Sequence, residues 1–305
     1  MLLVFGSLNA DLLFKVKSLP RPGETVLCPG YEVAAGGKGA NQAAAAAKAG
    51  ANVRMIGHLG ADSFGDFARD VMTKAGVDCG DVATSSRATA IAVIGVDLAA
   101  ENQIIVASGA NLDTDPNQVD DERLADNVTV LCQNEVRPEA TFTFLRRAKA
   151  QGARTILNLA PAAPVPDDVL GSLDVLVVNE IEAAMAAGLD DIGDNAMTIA
   201  TELGQRHGLT AVITLGARGA IAAGPEGRFR VGSLQVSPID TTGAGDAFVG
   251  ILAARLDRGA SLPDALKRAS IGAGLACTEI GAQTSQPSAE AIEQRLDEIK
   301  VSELA

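Results

Sequence analysis

Tryptophan is absent from this 305-residue chain, tyrosine occurs once, and aromatic residues make up only 3% of it. That composition argues against the aromatic stacking platform used by single-strand nucleic-acid binders. Positive charge is also short: 25 Lys and Arg stand against 38 Asp and Glu, a formal net charge of −13, with no basic run. Such a chain is repelled by phosphate backbones, so no nucleic-acid partner is expected. Long apolar runs are missing too. Stretches such as Ala43 to Ala47 and Val175 to Val178 fall well short of the roughly 20 residues of a membrane helix, so no membrane span is expected. The opening Met-Leu-Leu-Val-Phe-Gly-Ser has neither a basic leader nor a small-residue cleavage site and predicts a first buried strand, not a signal peptide. Cys28, Cys79, Cys132 and Cys277 lie far apart without a C-x-x-C pair, and a chain of this length needs no disulfide staples, so cytoplasmic thiols are expected. The two histidines, His58 and His207, are isolated, and no H-E-x-x-H, G-x-S-x-G or paired Cys/His set appears.

Glycine is plentiful, at 32 residues. Short apolar runs at 2–8, 53–57, 128–132, 154–158, 174–178 and 211–215 alternate with Ala-rich helical patterns near 38–49, 62–75, 138–150, 194–206, 243–258, 262–280 and 288–299. This alternation predicts an α/β fold: a central, mostly parallel sheet flanked by helices. Segments 12–35 and 88–107 break the pattern with period-2 runs (Phe14, Val16; Val26, Cys28; Ile91, Val93) and Pro-x-Pro-Gly turns. They predict a small antiparallel sheet inserted in a single domain spanning 1–305. A sheet that small cannot stand alone, so it is expected to act as a lid, to pair with a second copy in a homodimer, or both.

The segment Asp240-Thr241-Thr242-Gly243-Ala244-Gly245-Asp246-Ala247-Phe248 reads as a strand end, a glycine turn and the start of an apolar helix. First-turn amides of a helix lack helical partners, and small residues at Gly243, Ala244 and Gly245 let a ligand come close, which suits an anion such as a phosphoryl group in transfer. Asp246 stands where a carboxylate can orient a substrate hydroxyl and accept its proton. A Gly-rich turn with a capping Asp is also ordinary architecture. Other phosphate motifs fail: a P-loop needs glycine where Glu32 stands and Ser or Thr where Gly39 follows Lys38, and a dinucleotide fingerprint needs a third glycine where Phe248 stands. Asn9, Asp11, Gly36, Gly37 and Asn41 supply donors, acceptors and exposed amides that together suit a small polyhydroxylated molecule. Taken singly, Asn9 and Asp11 also fit a loop turn, and Lys38 a solvated helix start.

Together these segments resemble the ribokinase branch of the PfkB carbohydrate kinase family over essentially the whole chain. The resemblance rests on Gly-Ser-Leu-Asn-Ala-Asp at 6–11, Pro-x-Pro-Gly-Glu at 20–24, Gly-Gly-Lys-Gly-Ala-Asn-Gln-Ala at 36–43, Gly-Ala-Asn at 109–111, Asn-Leu-Ala-Pro-Ala at 158–162, Asn-Glu-Ile-Glu-Ala at 179–183, Ile-Thr-Leu-Gly-Ala-Arg-Gly at 213–219, the 240–246 motif and Gly-Ala-Gln at 281–283. It implies a ribokinase-like fold and transfer of the γ-phosphoryl of ATP to the 5-hydroxyl of D-ribose, with Asp246 as base and Gly243, Ala244 and Gly245 as anion hole. It also implies sugar contacts from Asn9, Asp11, Gly36, Gly37, Lys38, Asn41 and Glu135, and nucleotide contacts from Asn179, Thr214, Gly216, Arg218, Gly219, Gly245 and Ser270. Glu182 matches the acidic position that organises Mg²⁺ and phosphate. A monovalent cation, K⁺, is implied at Asp240, Thr242, Ala276, Glu279, Gly281 and Ser285, an oxygen donor set suited to a hard ion. Glu279 and Ile280 stand where the family commonly has basic residues, and Ser270, Thr284 and Gln286 also depart from its pattern. The resemblance leaves open a kinase for deoxyribose, fructose or adenosine, and a sugar sensor that has lost turnover.

Overall fold

The computed structural model describes residues 1–99 and 101–304. Its elements run β1 (Leu2–Phe5), β2 (Asn9–Lys15), β3 (Glu32–Gly36), α1 (Lys38–Lys48), β4 (Val53–Gly60), α2 (Ser63–Lys74), β5 (Asp78–Ser85), β6 (Ala90–Val96) and β7 (Asn102–Ala107). They continue with β8 (Thr129–Cys132), α3 (Pro138–Ala150), β9 (Arg154–Asn158), α4 (Asp167–Leu170), β10 (Val175–Asn179), α5 (Glu180–Ala187), α6 (Ala196–His207), β11 (Thr210–Thr214), β12 (Ala220–Gly224), β13 (Gly227–Val231), α7 (Ala244–Asp257), α8 (Leu262–Ala276), α9 (Ala289–Glu293) and β14 (Val301–Leu304).

The central sheet has ten strands in the order β14-β13-β12-β11-β10-β9-β8-β1-β4-β5. From β5 to β11 every neighbouring pair is parallel, whereas β12, β13 and β14 add an antiparallel edge. Alternation along β1 explains the two-faced core: Leu2 and Val4 join the cluster under α1, α7 and α8, and Leu3 and Phe5 join the one under α3, α5 and α6. Phe5 stacks on Phe144 of α3 with ring centroids 4.4 Å apart. After β1 the chain pairs on one side with β4 and on the other with β8, so the strand order reverses there. In open parallel sheets such a reversal opens a crevice at the carboxyl ends of the strands, where ligands bind.

Two helices bring the chemistry to that crevice. The Ala-rich α1 is buried along Gly39 to Ala46, and α7 crosses it closely. A Cβ on Gly250 of α7 would lie 2.3 Å from the Gln42 carbonyl oxygen, so only glycine permits this approach. It places the first turns of both helices side by side.

Segments 12–35 and 88–107 do form a separate small sheet, in the order β3-β2-β6-β7. Its outer pairings, β2 with β3 and β6 with β7, are antiparallel, and the two hairpin halves meet along a parallel β2–β6 seam. Val26 and Cys28, expected in a strand, lie instead in irregular chain. Leu27 between them is 91% exposed, so the alternation there has no face to bury. The helix expected over 262–280 ends at Ala276, leaving 277–288 as a loop with a turn at Gly281 (φ +96°). The one expected over 288–299 stops at Glu293 and gives way to a 3-10 turn over Leu296–Glu298.

Candidate active site

Five neighbouring strands end in polar residues at the crevice: Ser7 and Asn9 follow β1, Gln133 and Glu135 follow β8, and Asn158, Asn179 and Thr214 close β9, β10 and β11. The first turn of α7 reaches into their midst. Gly243 enters it in the left-handed region (φ +78°), and a Cβ there would lie 2.8 Å from the backbone of Ala282. The Ala244 amide donates to the Thr241 carbonyl at 3.2 Å, so it is only partly free. The amides of Gly243, Gly245 and Asp246 have no protein partner among the described residues. Nothing lies within 4 Å of where a Gly245 Cβ would stand, so this part of the turn faces open space.

The Asp246 side chain leaves the same turn in another direction and is buried. Its Oδ2 accepts from Asn41 Nδ2 and its Oδ1 from Gln42 Nε2, both at 2.9 Å. Burial pushes the Asp246 carboxyl above its ordinary range, the Lys38 ammonium and the two amides oppose that rise, and Glu135 adds to it. Asp11 lies in the same group: burial, then the Glu135 and Asp246 carboxylates, push it up to about 6. Glu135 Oε2 accepts from Ser7 Oγ at 2.7 Å and from the Lys38 amide at 2.8 Å. Asn9 Oδ1 accepts from Asn111 Nδ2 at 2.8 Å, and Asn111 is itself held by the Leu8 amide at 3.0 Å. Gly36 packs against the Asp11 carboxyl, and Gly37 (φ +87°) against Ser7 and Asn9. Thus Asn9, Asp11, Gly36, Gly37, Lys38, Asn41, Glu135 and Asp246 converge. The buried Oδ1 atoms of Asp11 and Asn41 accept no hydrogen bond among the described residues, and both suit hydroxyl donors.

On the far side of the α7 turn lies a cleft of about 540 Å³. Asn179, Thr214, Gly216, Gly219, Gly245 and Ser270, all expected at a nucleotide, line it. Leu234, Val236 and Ala273, which no sequence motif announced, supply an apolar wall together with Phe248 from the end of the 240–248 motif. Ser270 donates to the Gly232 carbonyl at 2.5 Å, so its hydroxyl hydrogen is already engaged. Arg218 stands outside the lining, its guanidinium against Glu180. Asn179 and Glu182 form a reciprocal cap on α5: Asn179 Oδ1 accepts the Glu182 amide at 2.9 Å and Glu182 Oε2 accepts the Asn179 amide at 2.8 Å. Burial raises the Glu182 carboxyl, the Asn179 amide and Lys38 work against that rise, and Asp246 adds to it.

Asp240 closes the other flank of the turn. Its Oδ1 accepts the Thr242 amide and its Oδ2 the Gly281 amide, each at 2.9 Å. Burial pushes this carboxyl up, but hydrogen bonds from Thr242 and Gly281 prevail and hold it below the usual range, so it is an anion at neutral pH. Ser285 donates to the Gly281 carbonyl, which ties the loop together. An ionised carboxylate beside carbonyl and hydroxyl oxygens fits a hard monovalent cation. Ala276 closes α8 at the start of this loop, and Glu279 is exposed on it. Among the described residues no group of three or more His, Cys, Asp or Glu is placed to hold a metal.

The sequence pattern described as "pfkB family carbohydrate kinase" matches residues 1–289. This chain belongs to that family. A ribokinase of Haemophilus influenzae is 35% identical over 292 residues, 94% of this chain and 95% of the relative. A deoxyribokinase of Salmonella typhi is 31% identical over 300 residues, 96% and 97% of the two chains. The solved structure of Arabidopsis thaliana ribokinase complexed with ribose and ATP superimposes with a TM-score of 0.88 at 29% identity, covering 97% of this chain and 98% of that one. A PfkB-family sugar kinase transfers a phosphoryl group to a hydroxyl, and the two-sided site around α7 is compatible with that chemistry. Several residues of the polar cluster escaped sequence reasoning. Gln42, Asn111 and Asn158 stand inside quoted motifs but carried no local sign of their role, and Gln133 stood in none.

Proposed function

We propose that the protein transfers the terminal phosphoryl group of ATP to the 5-hydroxyl of D-ribose. One observation carries this reading: a single helical turn presents Gly245, whose amide has no protein partner among the described residues, to the apolar cleft and the Asp246 carboxylate to the polar cluster. The nucleotide lies in the cleft with Asn179, Thr214, Gly216 and Gly219 along its path, and the sugar lies among Asn9, Asp11, Lys38, Asn41 and Glu135. Asp246 accepts the hydroxyl proton as that oxygen attacks the terminal phosphorus, the bond to the bridging oxygen of ATP breaks, and ADP leaves with that oxygen's electron pair. The α7 amides stabilise charge on the phosphoryl oxygens in flight. Glu182 would help hold Mg²⁺, which supplies charge neutralisation of the phosphates, and Asp240, Thr242, Ala276, Glu279, Gly281 and Ser285 would hold K⁺.

The four-stranded sheet serves as a lid within one kinase domain, and its exposed edge strand β7, with Ile104, Ile105 and Val106 all more than half exposed, supports pairing with a second copy. The likeness to a deoxyribokinase favours deoxyribose as the second substrate to weigh. ADP release measured with ribose, deoxyribose, fructose and adenosine, with and without K⁺, tests the proposal. Ribose giving the highest kcat/KM supports it; deoxyribose leading would move the assignment, and sugar binding without ADP release would overturn turnover altogether.

A further inference from the structure

Four amide groups form a chain that touches Asp246 through Gln42. The Val177 carbonyl accepts from Asn158 Nδ2 at 3.1 Å. Asn158 Oδ1 accepts from Gln42 Nε2 at 2.9 Å, the same nitrogen that donates to Asp246 Oδ1. Gln42 Oε1 in turn accepts from Gln133 Nε2 at 2.8 Å. All three side chains are buried, Gln42 and Gln133 completely.

A backbone carbonyl can only accept, so Val177 fixes which end of Asn158 points at it. Asn158 therefore shows its oxygen to Gln42. Gln42 must then turn its NH₂ toward Asn158 and Asp246, and its oxygen toward Gln133. Turning any one amide over would set two acceptors against each other at hydrogen-bond distance. Gln133 keeps this orientation although its Oε1 is buried without a partner, in a space so tight that a Cβ on Gly6 would lie 2.1 Å from it.

We propose that Asn158 and Gln133 are positioning residues that fix the orientation of Gln42 and so keep a donor, never an acceptor, on Oδ1 of Asp246. The proposal rests on the reading of Asp246 as the base. A fixed donor at Oδ1 favours the ionised carboxylate and locks its plane, leaving Asn41 and the substrate hydroxyl to share Oδ2. Without Gln133, Gln42 Oε1 is left buried without its donor and Asn158 alone holds the amide, so the donor at Oδ1 of Asp246 is no longer locked from both ends.

Two variants test this. Gln133→Met removes the donor to Gln42 with little change in volume, and Gln133→Glu retains a donor only while the introduced carboxyl is protonated. For Gln133→Met the expected result is a kcat lower by about 10- to 100-fold, the scale of the Gln42–Asp246 hydrogen bond that the change loosens, with KM for ribose and ATP within about 3-fold. For Gln133→Glu, kcat is expected to approach the wild-type value at low pH and to fall as pH rises through ionisation of the introduced carboxyl, opposite in sign to the wild-type acid limb. The charged groups facing Asp246 are Lys38, Asp11, Glu135 and Glu182, and they are unchanged in both variants. Wild-type kcat and pH profiles in both, with Asp246→Asn inactive, would overturn the relay and leave the base assignment standing. A loss in Gln133→Glu that is equal at every pH would also overturn it, by marking a purely structural role. An Asp246→Asn protein with wild-type kcat would remove the base assignment and the relay with it. Should Gln133→Met fail to fold, the profile of Gln133→Glu decides alone.

Discussion

Asp11 lies diagonally across the β2–β3 pair from Gly36, whose register partner is Asn9, so closely that a methyl group on Gly36 would lie 2.1 Å from Asp11 Oδ2. The Asp11 carboxylate thus occupies the space a side chain would take. Gly36→Ala must push that carboxylate aside, because the backbone of the small sheet cannot retreat without breaking its ladder. We expect kcat/KM for ribose to fall by about 10- to 100-fold, the scale of one or two lost hydrogen bonds to a charged group, with KM for ATP within about 2-fold. Steady-state kinetics with each substrate varied in turn checks it.

The same carboxylate ties stability to pH. Burial and two neighbouring carboxylates push Asp11 up to about 6, against about 3.9 in an unfolded chain. A raised value means the folded state favours the protonated form, so the stabilisation is full below about 3.9 and is lost as pH rises through about 6. Asp11→Asn carries no charge to disfavour. It is expected to be more stable than the wild type by about 1–3 kcal/mol at pH 7.5, with the gain gone by about pH 4. Calorimetric unfolding at the two pH values reads this directly. On the proposed placement of the sugar, activity should move the other way, since a substrate hydroxyl loses a charged acceptor.

Asp240 offers a test of the cation reading. Its two oxygens are tied to the Thr242 and Gly281 amides, and neutralising it removes the only full negative charge in that oxygen set apart from the exposed Glu279. For Asp240→Asn, kcat in K⁺ is expected to drop to the level of the wild type assayed with a large organic cation, and K⁺ should no longer raise it. A variant with undiminished K⁺ activation would place the ion elsewhere.

Much of the fold was legible because burial writes itself into composition. β1, β8, β10 and β11 are built on apolar runs (Leu2–Phe5, Val130–Cys132, Val175–Val178 and Ala211–Ile213), as a strand covered on both faces has to be. The edge strands were not, since Gly-Arg-Phe-Arg-Val in β13 and Val-Ser-Glu-Leu in β14 are short, half-polar segments that gain a structure only from their neighbours. Helix α8 ran too far in the sequence reading because Cys277 and Thr278 do not break helical periodicity; the helix stops at Ala276, where the Cys277 carbonyl turns to the Ile239 amide at 2.8 Å, and the turn at Gly281 follows. In the site, Asp246 and its glycines stood in one motif, readable because turn, amides and carboxylate are local. Gln42 and Asn158 are 116 residues apart, and the hydrogen bond between them has no local signature. Arg218 stands in its motif beside the cleft, and its exposed guanidinium pairs with Glu180.

The central claim is that the α7 turn holds both the proton acceptor and the anion site, and single-turnover phosphoryl transfer by Asp246→Asn tests it most directly. The isosteric change keeps the amides and the fold but removes the base. The expected result is a transfer rate lower by about 10²- to 10⁴-fold with ATP affinity within about 3-fold of wild type. A variant that transfers phosphate at the wild-type rate would contradict the account.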